Sequence, residues 1–381
     1  MKIVMRNLIL LLSLSLLSSC GYRPVGEDRK GKCVKDIDLD NLSSPSFDDY
    51  FSKLDIIPLD SSNEALIQSV SEQIWHREKL YVLDEKQKKV FIFDPKGKLL
   101  QIIDKRGNGP GEYTDITAMQ INRFTGDLEL LNPMGGILKY DSLGNTYKGR
   151  IYLPPTVPAA HYIASISSDI YLYFCEARDG NKMVVYNVKE DKTVAELYDI
   201  PKFVLFSTLY HHSSSPFYTF EDKVHFVQGY NGDVFIYEDG ELLPKYQWNF
   251  GKYNFDIADL EKDQDILYYI KHYKTIGSQY ATIFIRYVEN TRYYITQFDF
   301  HGKICSLIYD KRKNTYVVFD SFKEGHRLIP TFIDESALYF LAAPRVLPIV
   351  INRDELSEEN QRVYDSIGSE SNPVILRYTL K

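Results

Sequence analysis

The chain is poor in cysteine and has almost no tryptophan, with 4 cysteines and 2 tryptophans among 381 residues. It contains no Cys-x-x-Cys pair and no cysteine–histidine cluster, although a structural zinc site needs ligands at such close spacing. We therefore predict no metal ion and no cofactor. Because Cys175 and Cys305 both lie inside apolar, strand-like runs, we expect them to be buried free thiols.

Basic residues are not in excess either. The chain has 45 lysine and arginine residues against 52 aspartate and glutamate residues, which gives a net charge of -7 at pH 7. Nucleic-acid binding needs a positively charged face, so we predict no nucleic-acid partner. The Gly-x-Ser-x-Gly, His-Glu-x-x-His and EF-hand patterns are absent too, and no catalytic residue can be assigned from a motif.

The apolar stretch near the N-terminus is too short to cross a bilayer. Residues 8–17 are apolar apart from Ser13 and Ser15, and Lys2 and Arg6 place positive charge before them. A transmembrane helix needs about 20 apolar residues. A positive start followed by about 7–15 apolar residues is instead typical of a secretory signal peptide.

Residues 17–20, with the sequence Leu-Ser-Ser-Cys, resemble the lipobox of bacterial lipoproteins, in which the cysteine becomes acylated. We interpret 1–19 as a lipoprotein signal peptide, Cys20 as the lipidated residue and 20–34 as a flexible tether. A lipid anchor would hold the protein on a membrane of the cell envelope, and we expect the outer membrane. An ordinary cleaved secretory signal is the alternative.

Aromatic residues are abundant, at 14% of the chain, and tyrosine and phenylalanine favour strands. One pattern recurs along the chain: an apolar strand ends in an aromatic residue, and an acidic or amide residue and a turn usually follow. A second apolar strand precedes each copy. Four-stranded blades that repeat every about 45 residues are typical of β-propellers. We predict an all-β, six-bladed propeller, because the aromatic residue recurs at Phe93, Tyr140, Tyr186, Tyr237, Tyr309 and Tyr378.

The last copy of the pattern reaches the C-terminus without a fourth strand. Since an open blade would leave an unpaired strand edge, we expect a segment within 34–39 or 53–59 to complete it. The propeller domain would then span 35–381. The two longest intervals between copies contain helical patterns at 257–271 and 354–366, which we predict as short helical insertions.

The sequence Arg-Gly-Asn-Gly-Pro-Gly-Glu-Tyr at 106–113 is the most specific motif of the chain. Together with the segments at 93–100 and 372–374, it resembles the six-bladed β-propeller lipoproteins of Bacteroidota and, more distantly, the NHL-repeat propellers. This resemblance implies a six-bladed propeller in the cell envelope. It implies no catalytic residues, because the matching positions belong to structural turns.

The glycines of this motif have two interpretations. Gly107, Gly109 and Gly111 could present backbone amides to a phosphate, as glycine-rich loops do. However, Pro110 removes one donor, and the chain continues into a strand rather than a helix. We therefore favour a tight loop between blades in which the glycines adopt positive φ.

Loops that precede the innermost strands of a propeller converge on its axis, where we expect any ligand site. The residues that the repeat places in such loops are the candidate binding residues Arg106, Glu112, Tyr113, His161 and His272.

Two classes of function remain open. In the first, the propeller is a non-catalytic binding module for a glycan, a peptide or an envelope protein, and tyrosine-rich loops would suit sugars. In the second, it is a hydrolase or lyase with an acid or metal site at the axis. Two carboxylates or three metal ligands clustered at the axis would distinguish the second class from the first.

Overall fold

A six-bladed β-propeller forms the described part of the chain, which confirms the predicted fold class. In the computed structural model, six sheets surround a common axis, and each sheet is one blade. The described residues contain 25 strands. The predicted helix at 257–271 lies outside the described residues. The structure describes residues 34–175, 178, 180–199, 215–256 and 278–381.

Blades 1 to 3 each consist of four consecutive antiparallel strands, with the innermost strand first and the outermost last. The chain therefore returns from the perimeter to the axis between one blade and the next. Blade 1 comprises β3 (Glu72–His76), β4 (Lys79–Asp84), β5 (Lys89–Phe93) and β6 (Leu99–Ile103). Blade 2 comprises β7 (Ala118–Ile121), β8 (Leu128–Asn132), β9 (Gly136–Tyr140) and β10 (Tyr147–Ile151). Blade 3 comprises β11 (Tyr162–Ser165), β12 (Ile170–Phe174), β13 (Asn181–Asn187) and β14 (Lys192–Asp199).

Blades 4 and 6 take strands from the N-terminal part of the chain, whereas blade 5 is continuous. Blade 4 comprises β15 (Phe217–Phe220), β16 (Lys223–Val227), β17 (Val234–Glu238), β18 (Glu241–Asn249) and β1 (Val34–Asp36). Blade 5 comprises β19 (Thr282–Glu289), β20 (Tyr293–Phe300), β21 (Lys303–Asp310) and β22 (Thr315–Phe319). Blade 6 comprises β23 (Phe332–Ile333), β24 (Ala337–Ala342), β25 (Val374–Leu380) and β2 (Phe51–Pro58).

The six repeated aromatic residues all lie on the third strand of their blade, and the apolar strand before each copy is the second strand. These two strands are the middle of each sheet. Both of their faces pack against neighbouring blades, so they read as continuous apolar runs: Val90, Phe91, Ile92 and Phe93 of β5 are all fully buried. The repeat pattern in the sequence therefore corresponds to the two buried central strands of every blade.

Strand β2 closes the ring. It pairs antiparallel with β25 and forms the outermost strand of blade 6, so a strand from the N-terminal part of the chain completes the sheet that holds the C-terminal strand. Of the two candidate segments, 53–59 contributes this strand. The segment at 34–39 does not: β1 pairs with β18 in parallel and adds a fifth strand to blade 4.

We call residues 34–58 the N-terminal strap, because they contact blades 4, 5 and 6 in turn. Between β1 and β2, Ser43 donates its backbone amide to the carbonyl of Val318 in blade 5 (2.7 Å). Phe47 then packs against Phe322 and Tyr378, with ring centroids 5.7 and 5.9 Å away. One continuous segment thus connects three blades.

The helices of the described residues are short. Helix α1 is Leu347–Val350, and α2 is Glu358–Ser366, the described counterpart of the helix predicted at 354–366. Ser357 caps α2. The side chain of Asn360 forms two hydrogen bonds with the backbone of β2: its Oδ1 accepts from a backbone amide, and its Nδ2 donates to the carbonyl of Leu54 (2.6 Å). Within the described residues, no helix has the length and apolar character needed to span a membrane. Short 3-10 helices occur at Phe47–Asp49, Gly251–Tyr253, Pro344–Val346 and Arg353–Glu355.

The predicted thiols are confirmed. Cys175 and Cys305 are free and buried, and burial raises the pKa of each thiol to about 12. Both are therefore unreactive, packing residues rather than nucleophiles. Cys20 and Cys33 lie outside the described residues.

Candidate functional site

The innermost strands of all six blades surround a channel along the propeller axis. A cavity of about 410 Å³ lies between β3, β7, β11, β15, β19 and β23, and side chains from each of these strands line it. A second cavity of about 540 Å³ adjoins it at the end where the innermost strands begin. We call that end the loop mouth, and the opposite end, where the innermost strands finish, the far mouth.

The channel wall carries hydroxyl, amide and aromatic groups. Trp75 of β3 lies in the wall and stacks on Phe332 of blade 6, with ring centroids 5.9 Å apart and an interplanar angle of 17°. Tyr339 packs on the same indole at 4.7 Å. These two contacts fix the plane of the indole ring. The polar residues that line the same cavity include Ser71, Gln73, Ser165, Thr219 and Thr331.

Glu72 is the only carboxylate among the described residues that line the 410 Å³ cavity. It lies at the start of β3, and its Oε2 accepts a hydrogen bond from the backbone amide of Met119 in blade 2 (2.6 Å). Burial raises the pKa of Glu72 to about 8. The side chain is therefore mainly a neutral acid at pH 7, able to donate one hydrogen bond.

Arg286 projects from an irregular part of β19. The pairing of β19 with β20 shifts register on both sides of Ile285, and Arg286 itself has φ +51°, in the left-handed region. Its Nη1 lies 3.4 Å from Oε1 of Gln297, and no carboxylate among the described residues forms an ion pair with it. Burial lowers the pKa of its guanidinium. The group stays protonated because the ordinary pKa of arginine lies above 12.

Arg123 lies at the far mouth, two residues after β7. Its Nη1 bonds to Oγ1 of Thr219 (3.3 Å), so the side chain reaches from blade 2 past blade 3 to blade 4. The guanidinium also stacks on Phe124, at 4.6 Å from the ring centroid. Its Nε is buried without a hydrogen-bond partner among the described residues. Burial lowers the pKa of Arg123, and the charge of Asp222 acts in the opposite direction.

A buried ionic cluster supports the channel wall between blades 4 and 5. Glu289, at the end of β19, accepts hydrogen bonds from Lys245 Nζ (2.8 Å) and Lys311 Nζ (3.0 Å). It also accepts from the hydroxyls of Tyr218 (2.7 Å) and Tyr246 (2.8 Å). Burial alone would raise the pKa of Glu289, but the two lysines outweigh it and the net shift is downwards. Tyr218, which lines the channel, is thereby held in place.

Two of the predicted binding residues, Arg106 and Tyr113, have structural partners in the loop between β6 and β7. Arg106 forms an ion pair with Asp104, with Nε 2.7 Å from Oδ1. Tyr113 is buried, and its hydroxyl donates to the carbonyl of Lys88 (2.9 Å). Neither residue lines the channel or its loop mouth.

Glu112, the third predicted residue of this loop, forms a hydrogen bond within the glycine motif. Its Oε2 accepts the backbone amide of Gly109 (2.8 Å), so its carboxylate takes the position an external anion would need. Of the three glycines of this motif only Gly111 has positive φ (+75°), so the expectation was wrong for Gly107 and Gly109. At Gly107 a Cβ atom would lie 2.0 Å from the Glu112 carboxylate, so a larger residue there would displace this side chain from its hydrogen bond with Gly109.

His161 precedes β11, as the repeat predicted, but it does not line the channel. Its backbone amide donates to the carbonyl of Phe174 (2.8 Å), while the next residue, Tyr162, lines the loop mouth. His272 and Cys20 lie outside the described residues. Among the residues the structure does describe, no three histidine, cysteine, aspartate or glutamate side chains are grouped to hold a metal ion.

Sequence reasoning missed Glu72, Trp75, Arg123 and Arg286 because it followed the apolar second and third strands. The innermost strands are short and partly polar; β3 reads Glu-Gln-Ile-Trp-His. The sequence does contain a signal for the innermost strands, because each of them lies just before an apolar second strand. Charged residues in the segment before an apolar second strand, such as Glu72 and Arg286, are therefore candidates for the channel wall.

Comparisons with known proteins agree with the architecture. A family model described as "Domain of unknown function (DUF4934)" matches residues 34–379. A comparison of the sequence with curated proteins finds no match.

Two solved structures are similar over most of the chain. One is a "putative exported protein" from Bacteroides fragilis, with a TM-score of 0.74 at 13% identity over 91% of this chain and 99% of that one. The other is a member of the duf4221 family from Bacteroides vulgatus, with a TM-score of 0.52 at 11% identity over 87% and 97% of the respective chains. At these identities the similarity establishes the fold alone.

Proposed function

The chain belongs to the DUF4934 family, whose function is unknown, and we propose that it is a cell-envelope protein that binds a short oligosaccharide in its axial channel. The observation that carries this proposal is the composition of the channel wall. It combines a fixed indole ring, that of Trp75, with hydroxyl and amide groups from several blades.

This combination suits a sugar. A pyranose ring has apolar faces that stack on aromatic rings and a rim of hydroxyl groups that exchange hydrogen bonds. Gln73 adds a specific indication, because its Oε1 is buried without a hydrogen-bond partner among the described residues. A buried acceptor of this kind costs about 1–3 kcal/mol unless a ligand or a water molecule supplies a donor.

Binding is favoured over hydrolysis by the number of carboxylates in the channel. Most glycoside hydrolases need two carboxyl groups about 5–10 Å apart. Of the described residues that line the 410 Å³ cavity, only Glu72 carries one. The loop mouth adds Glu85, on the turn between β4 and β5. A hydrolase or lyase with an axial acid remains the competing hypothesis, and the experiment below includes it as an outcome.

The proposed location rests on the sequence near the N-terminus. The apolar run at 8–17 and the lipobox-like residues 17–20 support export and acylation at Cys20. The similarity to a Bacteroides protein whose name describes it as exported is consistent with this proposal.

A glycan and peptide array with the purified mature protein tests the function, and mass spectrometry of each bound compound tests for cleavage. We expect oligosaccharide hits that survive intact. In Trp75→Ala, affinity for these hits should fall at least tenfold, which corresponds to about 1.4 kcal/mol. Tyr152→Ala is the matched control, because Tyr152 is an aromatic residue that is 74% exposed and lies outside the channel wall.

Three results would contradict the proposal. Binding of peptides but not oligosaccharides would exclude a sugar ligand. Cleavage of a bound oligosaccharide would establish the enzymatic alternative. Equal affinity of the parent and of a folded Trp75→Ala variant would place the site outside the channel.

A further inference from the structure

The backbone at Arg286 is held in an unfavourable conformation. A residue other than glycine at φ +51° is strained, and strained backbone of this kind is common at functional sites. Here the outlier coincides with a bulge in β19, and bulges commonly re-aim a side chain next to a site. In this strand the bulge lies in the channel wall, and Arg286 lines the cavity.

The described residues around Arg286 offer fewer hydrogen-bond acceptors than its guanidinium has donors. A guanidinium has five N–H donors, whereas the described contact is a single long bond of 3.4 Å to Gln297. The acceptor is neutral and already fixed, because Nε2 of Gln297 donates to the carbonyl of Leu328 (2.6 Å). Gln297 therefore orients the arginine without neutralising it.

Some other partly buried cations in the described chain are paired with carboxylates. Lys245 and Lys311 both contact Glu289, and Arg178 lies 2.7 Å from Glu196. Arg150 and Arg377 lie outside the cavity and form no ion pair with a described residue either, so the distinguishing feature of Arg286 is its place in the cavity wall.

Arg123 adds a second positive charge to the same cavity. It, too, forms no ion pair with a described residue, and its Nε has no partner among them. Glu72, the carboxylate in this part of the wall, lies in a setting that favours its neutral form. The described wall therefore carries net positive charge, although the whole chain carries a net charge of -7.

We propose that Arg286 and Arg123 form an anion subsite of the axial channel, which binds a negatively charged substituent of the oligosaccharide. This proposal rests on the oligosaccharide-binding function given above. The substituent is a uronate carboxylate or a sulfate ester, since both match the planar donor fork of arginine. The ligand class is accordingly an acidic oligosaccharide, with its sugar faces near Trp75.

Three matched probes distinguish the contribution of the negative charge to binding from that of the sugar. Trigalacturonic acid, its neutral methyl ester and a sulfated galactose trisaccharide are each titrated calorimetrically into the mature protein. We expect at least one acidic probe to bind at least tenfold more tightly than the methyl ester. Its advantage should shrink as salt rises from about 50 to 500 mM, because ions screen the attraction. The tighter of the two acidic probes identifies the anionic group.

Arg286→Asn is the decisive variant, because asparagine tolerates positive φ better than most residues and removes the charge without adding backbone strain. We expect tenfold or greater loss of affinity for the acidic probe, and an unchanged affinity for the methyl ester. Arg286→Lys should recover part of the loss. Arg362→Gln, at an exposed arginine on α2, is the control and should bind like the parent. Arg123→Gln gives an independent second test should Arg286→Asn fold poorly.

The outcomes distinguish the subsite from the general function. If the methyl ester binds in the channel but Arg286→Asn and Arg123→Gln lose no affinity for either acidic probe, the anion subsite is refuted and oligosaccharide binding stands. An equal loss for acidic and neutral probes would also refute the subsite, because it would show a structural effect. If none of the three probes binds to the parent, both proposals fail for this class of ligand.

Discussion

At Gly111 the backbone has φ +75°, and a Cβ atom built there would lie 2.7 Å from the ring of Tyr147. Gly126 has almost the same conformation, with φ +73°, but no atom lies within 4 Å of its Cβ position. The two glycines therefore separate two reasons for glycine at a turn. At Gly126 only the backbone conformation requires it, whereas at Gly111 the neighbouring strand β10 also leaves no room.

We predict that Gly111→Ala destabilises the protein more than Gly126→Ala. An alanine in the left-handed region costs about 1 kcal/mol, and a clash with a packed ring adds about 1–3 kcal/mol. For a domain of this size each kcal/mol lowers Tm by roughly 2 °C. Thermal unfolding should show a drop of about 2 °C for Gly126→Ala and of about 4 °C or more for Gly111→Ala. Equal drops would mean that the ring of Tyr147 moves aside without cost.

The N-terminal strap is the element that joins the ends of the propeller. Its strand β2 pairs with β25 over the whole length of blade 6, and its strand β1 pairs with β18 in blade 4. Phe51 of β2 is fully buried, as is Tyr378 of β25. Removing the strap would expose the edge of β25 and the apolar core between blades 5 and 6.

We expect deletion of residues 33–59 to destabilise the whole ring rather than blade 6 alone. Thermal unfolding of this variant should begin well below that of the parent, and its exposed core should bind a hydrophobic dye. Deletion of 21–32, which lies outside the described residues and leaves every described strand in place, is the control and should leave Tm unchanged. A 33–59 deletion variant that melts like the parent would show that closure by β2 is dispensable.

The sequence predicted the middle of each blade better than its edges, and the reason is burial. Second and third strands have both faces covered, so their residues form apolar runs such as those of β4 and β5. Outermost strands such as β14 alternate between partly buried and exposed residues, and innermost strands such as β3 are polar where they meet the channel. Their strand signal is correspondingly weak.

Long-range strand pairing and the candidate site could not be predicted from local sequence patterns. The parallel pairing of β1 with β18 joins segments more than 200 residues apart, and no local pattern specifies such a partner. Positive φ at Arg286 is equally invisible, because arginine rarely adopts it. The motif at 106–113 drew attention because glycine-rich motifs often bind phosphate, whereas here Glu112 fills the loop from within.

At the scale of the whole molecule, the ring and its proposed anchor are separated by a short segment. The described chain begins at Val34 on the outer edge of blade 4, and Cys20 lies fourteen positions before it. A fully extended chain of that length reaches at most about 50 Å. A protein anchored at Cys20 would thus stay close to its membrane, and the axial channel would sample ligands near that surface.

Acylation of Cys20 gives the prediction that tests this arrangement. Cells that express the full chain and are fed a labelled fatty acid should produce a labelled protein that partitions into the detergent phase. Cys20→Ala should remove the label, because the thiol that receives the lipid is lost, and release the folded propeller into the soluble fraction. Cys33→Ala is the matched control: it removes a cysteine from the same N-terminal region and should leave label and partition unchanged. Since an uncleaved signal peptide can itself retain a protein at the membrane, the label is the decisive measurement. A Cys20→Ala variant that still carries the fatty acid would show that the residues at 17–20 are not a lipobox, leaving the ordinary secretory signal as the explanation of the apolar run before them.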